Sequence, residues 1–214
     1  MSVYTRGADA IGAIGIGFSK VYAAVYGGVT SETSGGTTVE SITYTGGMRI
    51  ARGVSADLSV EAGGDNNWYA DNVVAESDSG RFQTGTLTYT LDDLFPEADA
   101  LLHARATAAT VNGVSAVPSG GETGKRYIGT GYVRKYQCNG TEIYRAIIFP
   151  KVMFQERGDN ATTQEETKSW QTITETATVS RDDTASQHWC YKGANYYTTE
   201  AEAEAEIKTF LDIE

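Results

Sequence analysis

The residues of this chain that could do chemistry are few and poorly grouped. His103 and His188 are its only histidines, and neither has a Cys, Asp or Glu at a spacing familiar from metal sites. His188-Trp189-Cys190 puts a thiol two residues from an imidazole, as a nucleophile and its base would need. In an extended strand, however, those two side chains share a face simply as neighbours, and ordinary packing is the expectation. The pairs Asp92-Asp93, Glu165-Glu166 and Asp182-Asp183 lack the separation across a cleft that glycoside chemistry requires. Helix capping accounts for the first pair and solvated turns for the others. Residues 119–126 have the outline of a phosphate loop, but Ser119 stands at the first glycine position and Arg126 where a magnesium-binding hydroxyl belongs. A flexible turn is expected there. Gly12, Gly15 and Gly17 are in the wrong order for a dinucleotide fingerprint. No catalytic, cofactor or metal constellation emerges, so the expectation is a protein that is not an enzyme.

Aromatic side chains are the remaining candidates. Trp68, Tyr69, Tyr127, Tyr132 and Tyr144 offer flat faces suited to sugars, yet the same faces serve cores and subunit interfaces, and packing is the stronger reading.

The elements that position these residues follow from periodicity. Over residues 49–61, Ile50, Val54, Ala56, Leu58 and Val60 alternate with polar residues, interrupted only by Arg52, which predicts one strand with a buried face. Turn residues follow at 63–66, then an extended run at 68–75. A second strand sets Leu87, Tyr89 and Leu91 against Thr86, Thr88 and Thr90. Asp93 as cap, Pro96 in the first turn and the row Leu94, Ala98, Leu101, Leu102 predict a short helix fraying near Ala106. Residues 107–124 read as a long excursion with one weak strand. Strands at 127–137 and 143–154 are joined at Asn139-Gly140, a hairpin turn. In the second, Tyr144, Ala146, Ile148, Val152 and Phe154 share a face, and Pro150 demands an edge or a bulge. A further strand within 170–181 puts Thr172, Thr174, Thr176 and Thr178 towards water, and Ile173, Ala177 and Val179 inwards around Glu175. Thr199 and Glu202 at capping-box spacing, with Ala203, Ile207, Phe210 and Leu211, predict a terminal helix. Its Glu200, Glu202, Glu204 and Glu206 should spread around the helix without clustering and should favour its N-terminal dipole.

Composition agrees with a mainly β chain: 214 residues, 24 glycines, 3 prolines and abundant Thr, Val and Tyr. A net charge of -11 argues against gripping phosphate, although a channel that lets DNA slide would also avoid attraction. Cys138 and Cys190 match no redox or metal spacing and read as free thiols. The run at 11–18 is too short and too Gly-rich for a signal peptide or a membrane span, so synthesis in the cytoplasm is expected.

One resemblance organises these pieces. Asn67-Trp68-Tyr69-Ala70-Asp71-Asn72, the strand from Gly85 through Leu87 to Leu91, and Asp92-Asp93-Leu94-Phe95-Pro96-Glu97 stand in a definite order. That order resembles the major tail proteins (tail tube proteins) of long-tailed, siphovirus-type phages. Members of that family carry a Tyr-Ala-Asp segment, a Gly-x-Leu-x-x-x-Leu strand and an acidic helix in the same sequence. The likeness extends through 126–136, 143–154 and 167–182, roughly from residue 48 to 181. Residues 107–124 and those after 183 match nothing in the family pattern.

The resemblance implies a β-sandwich or partial barrel with a flanking short helix and a C-terminal helix. It also implies a structural virion subunit whose hexameric rings stack into a tail tube, a conduit for DNA ejection that does not bind DNA specifically. The implied partners are further copies of the chain, a tape-measure protein and tail-tip and terminator proteins. The expected division is an N-terminal arm at 1–36, a tail-tube domain at 37–185 and a C-terminal extension with a helix at 186–214. Trp68, Tyr69 and Asp71 in the loop between Glu61 and Arg81, with Phe18 and Tyr22 in the arm, are the expected subunit contacts. The alternative is a capsid decoration or receptor-binding β-sandwich module, and a surface polysaccharide hydrolase comes third.

Overall fold

Alternating apolar and hydroxyl residues make strands, and strands dominate the chain. A computed structural model describes residues 2–7, 12–34, 36–64, 66–70, 73–78, 81–105, 109–118, 126–158, 161, 163 and 170–214, with side chains left out at 66–70, 73–78 and 109. In chain order the elements are β1 (Ile14–Ser34), β2 (Thr37–Ala51), β3 (Gly53–Ala62), β4 (Asn66–Ala70), β5 (Val73–Asp78), β6 (Phe82–Leu91), α1 (Pro96–Leu102), β7 (Ala109–Val111), β8 (Val114–Ala116), β9 (Ile128–Cys138), β10 (Thr141–Phe154), β11 (Ile173–Ser180), β12 (Tyr191–Lys192) and α2 (Glu200–Phe210). The fold is mainly β, as expected.

One large antiparallel sheet runs in the order β2-β1-β9-β10-β11-β6-β3, with β12 alongside β10. It curls over itself as a partial barrel. Val21, Ile50, Leu87, Tyr89, Leu91, Ile128, Phe149, Val152, Ala177 and Val179 meet inside it, and α1 closes that core with Ala98, Leu101 and Leu102. Phe18 on β1 approaches the start of β3 so closely that a Cβ on Gly53 would stand 2.1 Å from its ring. On the outer face of β1, β9 and β10, α2 buries Ala203, Ile207 and Leu211 against Tyr22, Ala24, Tyr44, Val133, Ala146 and Ile148. The central strands are therefore covered on both faces, which explains the near-continuous apolar run of β10.

Several expectations are corrected. The segment at 49–61 is two strands, because the chain turns a corner at Arg52 from β2 into β3, at opposite ends of the sheet order. Its apolar row is also not uniformly buried: Ile50 is, but Val54, Leu58 and Val60 are exposed on an edge strand. The first 36 residues do not stand apart as an arm. β1 pairs with β2 from Val21↔Ala51 to Ser34↔Thr37 and with β9 from Ile14↔Gln137 to Val25↔Ile128, so its apolar centre is part of a central strand with both backbone edges paired. Beyond Gly28 it pairs only with β2, so a polar hairpin projects past β9. The extended run at 68–75 is a small hairpin of β4 and β5, and residues 107–124 hold another, β7 and β8, turning at Asn112-Gly113.

Asp93 does not cap α1. The N-cap is Phe95, Pro96 follows at the start of the helix, and the Asp93 carboxylate accepts from the N–H of Leu94. The Asn139-Gly140 hairpin forms with both residues at positive φ. Pro150 does sit at a bulge, where the register jumps between Phe149↔Thr130 and Val152↔Ile128. The extra residue reverses the alternation, so Ala146 and Ile148 face α2 whereas Val152 and Phe154 join Ile147 and Phe149 in the inner core. The five residues expected on one face of β10 are thus split between two.

Candidate functional site

The expected subunit contacts divide. Trp68 and Tyr69 lie on β4, opposite Glu76 and Val74 of β5, with their side chains outside the described set. Asp71 lies outside the described residues, as does most of the imperfect phosphate loop at 119–125. Phe18 and Tyr22 are spent inside the subunit. The Phe18 ring stacks on Tyr89 at 6.3 Å and meets Tyr132 edge-on at 5.1 Å. Tyr22 is buried beneath α2, and its hydroxyl donates to the Glu204 carboxylate. Burial and that carboxylate push its phenol well above the ordinary range.

Among the aromatics read as core or interface packing in preference to sugar stacking, Tyr132 is buried, Tyr144 half-buried and Tyr127 exposed. Tyr127 instead lies 4.5 Å from the Lys151 ammonium, which also pairs with Asp183 at 2.6 Å. His188 and Cys190 form no reactive pair. The imidazole lies beside Tyr191, and burial raises the Cys190 thiol to about 11, leaving it inert as a nucleophile near neutrality. Cys138 is buried and free.

Two arrangements stand out. The first is the outer face of β3, β6 and β11, where register brings Ser55, Asp57 and Ser59 opposite Thr90, Thr88 and Thr86, and these opposite Thr174, Thr176 and Thr178. None of the residues in these three strands is Lys or Arg. The result is a hydroxyl surface with carboxylates at Asp57 and Glu61. Among the described residues β3 pairs with β6 on one side only and its other backbone edge is open, with Val54, Leu58 and Val60 at 61, 38 and 45 % exposure.

The second arrangement is buried. Glu175, in the inward row of β11, has no exposed surface. His103, the C-cap of α1, places Nε2 3.2 Å from Glu175 Oε2 and 3.3 Å from the Gln155 carbonyl oxygen. Its Nδ1 is 3.5 Å from Asp99 Oδ1. Arg157 Nε stands 2.8 Å from Glu175 Oε1, an approach of charges whose angle is poor for a hydrogen bond. Arg105 bridges Asp99 at 2.7 Å and Glu156 at 2.8 Å. Burial raises the Glu175 carboxyl to about 7 against the pull of Arg157, and burial lowers His103 against the pull of Asp99.

A polar cleft of about 670 Å³, lined by Gln155, Glu156, Arg157, Thr174 and Thr176 among others, lies next to this cluster, but neither His103 nor Glu175 lines it. A group sealed from a cleft cannot act on what enters it. The sequence hinted at the cluster only through Glu175 in an apolar row and the Asp99-His103 spacing of one helical turn; nothing in it placed Arg157 beside them. Among the described residues, no group of three or more His, Cys, Asp or Glu is arranged to hold a metal ion. Neither the protein-family models nor the curated proteins contain a match to this chain.

Proposed function

We propose that this chain is a structural subunit that assembles into stacked hexameric rings and so forms the tail tube of a long-tailed phage, a conduit for DNA on its way to the host. The observation that carries the reading is the cation-free hydroxyl face of β3, β6 and β11, which ends at an open strand edge. An unpaired edge with exposed apolar residues invites another strand, and closure across neighbouring subunits removes it. A face without Lys or Arg has nothing to exchange for the counterions of DNA, so a duplex sliding past it finds no sticking point. The order of motifs from Trp68 to Glu97 supports the same reading. Partners on this reading are further copies of the chain, a tape-measure protein and the tail-tip and terminator proteins.

The test is negative-stain electron microscopy of the concentrated protein, with size-exclusion chromatography of the same sample. Hollow tubes or stacked rings are expected. Uniform small particles under every condition, including with tail-tip components present, would overturn the reading in favour of a discrete decoration or receptor-binding module.

A further inference from the structure

The buried cluster around Glu175 is not needed for the assembly proposed above, and its geometry poses a problem of its own. Among the described residues each polar neighbour of the His103 ring is an oxygen: the Gln155 carbonyl within hydrogen-bond reach of Nε2, and Asp99 Oδ1 at Nδ1 and Glu175 Oε2 at Nε2 as close charge contacts whose angles are poor for hydrogen bonds. A neutral imidazole has one N–H and would set its bare nitrogen against one of those oxygens. The charges point the same way. From α1 and the residues after it come Asp99 and Arg105, from the end of β10 Glu156 and Arg157, and from β11 Glu175. From β6 the cross-strand neighbour of Glu175 is Tyr89, which brings no charge. Among the described residues these are three carboxylates and two guanidiniums, with the third carboxylate, Glu156, largely exposed to water; the buried pair His103 and Glu175 is the one place in the set where a proton has two nearby sites.

We propose that this cluster is a one-proton clasp, in which a proton held jointly by His103 and Glu175 fastens α1 and the end of β10 to β11. Removing that proton sets a bare ring nitrogen against the fully buried Glu175 carboxylate, and adding a second places a further positive charge on groups cut off from water. Either change loosens α1, because the groups regain water only by opening.

The sign follows from each partner. Once opened, the groups titrate as an ordinary carboxyl at 4.5 and an ordinary imidazole at 6.5. Closed, Glu175 keeps its proton up to about 7, so the clasp binds more protons than the open state just below neutrality and weakens as pH rises through about 7. Closed, His103 resists the second proton, so the clasp weakens again as pH falls through the ordinary carboxyl range.

Hydrogen–deuterium exchange reads this directly, as protection of the α1 amides relative to those of β9 from pH 4 to 9. The wild-type profile should be bell-shaped, with a fall of about threefold through neutrality and a steeper acid limb limited to about tenfold per pH unit for one proton. Glu175→Gln should erase the alkaline limb and start the acid limb near the ordinary imidazole range. His103→Gln should do the opposite, giving protection that only falls as pH rises. Parallel profiles in the three proteins would overturn the clasp. Should a variant fail to fold, carbon NMR of the wild-type imidazoles decides, with His188 as reference. A shared titration of the His103 ring with a carboxyl supports the clasp, and a His103 ring that titrates alone at an ordinary value overturns it.

Discussion

At the scale of single residues, close packing sets the tolerance of the fold. Gly129 on β9 lies under the Tyr44 ring, where an added Cβ would stand 2.2 Å from a ring carbon and 2.9 Å from Leu211. Neither neighbour is a flexible end, since both are held in the core beneath α2. Gly129→Ala should therefore cost about 1–3 kcal/mol, read as a lowered midpoint in urea. Gly17→Ala is the control, because its new carbon would meet only Lys135 Cβ at 3.8 Å, and it should stay within about 0.5 kcal/mol of wild type. Equal losses in the two variants would mean that the close approach at Gly129 relaxes freely. Glu175 carries a prediction of the same scale. Its raised carboxyl favours the folded state below its unfolded value of 4.5 and loses that contribution as pH rises through about 7, while His103 opposes it on the acid side. His103→Gln removes the opposition, so its thermal midpoint should fall steadily from pH 5 to 8 where the wild type is nearly level until neutrality. A variant that tracks the wild type would show that the two groups titrate independently.

At the scale of elements, α2 shows what periodicity reveals and what it hides. The stripe Ala203, Ile207, Phe210, Leu211 was legible because helical spacing alone gathers those residues on one side; Ala203, Ile207 and Leu211 are buried and Phe210 is half-buried at its margin. Its host was not legible, since β1, β9 and β10 come together only through long-range pairing. The same limit explains the glutamates. Spaced two apart they should have scattered, yet Glu200 accepts from Ser19, Glu202 from Thr199 and the Ser2 N–H, and Glu204 from Tyr22, with Lys20 3.3 Å away. Glu206 is half-buried, and its carboxyl is raised mainly by burial. A polar row read locally looks solvated; the capping contact of Thr199 with Glu202 was within reach of sequence spacing, but the donors from β1 and from the N-terminal segment were not. β6 and β11 were readable for the opposite reason: strict alternation of Thr with apolar residues survives any context that buries one face. β10 defeated the same logic past Pro150, because a bulge inserts a residue and exchanges the faces. Ile207→Ala should thus lower stability by about 2–5 kcal/mol in a urea titration, as a fully buried truncation does. A loss below about 1 kcal/mol would mean that α2 adds little beyond covering the sheet.

At the scale of the whole molecule, the sheet has two ends and only one body. Among the described residues β2 pairs only with β1, and β3 only with β6, leaving two open edges joined at the Arg52 corner. Soluble proteins usually blunt such edges with lysines, prolines or bulges. β3 has none of these across its middle, where Ala56 to Glu61 pair regularly with Tyr89 to Thr84, and Leu58 and Val60 remain half exposed on the core side of the edge. An edge kept flat and apolar is either a hazard or a joint, and the two differ in outcome. If β3 is the joint of a ring, Val60→Lys should block association while leaving the circular dichroism spectrum and the urea midpoint near those of wild type, since a lysine at a 45 % exposed edge position can reach water. Sedimentation velocity of the variant should then show a single small species at concentrations where the wild type, on the proposed reading, assembles. Trp68→Ala combined with Tyr69→Ala probes the other direction of growth: if those residues join one ring to the next, the double variant should still give rings but no tubes. Val60→Lys assemblies indistinguishable from wild type would remove β3 from the proposed ring interface and leave the other open edge, β2, as the strand to test next.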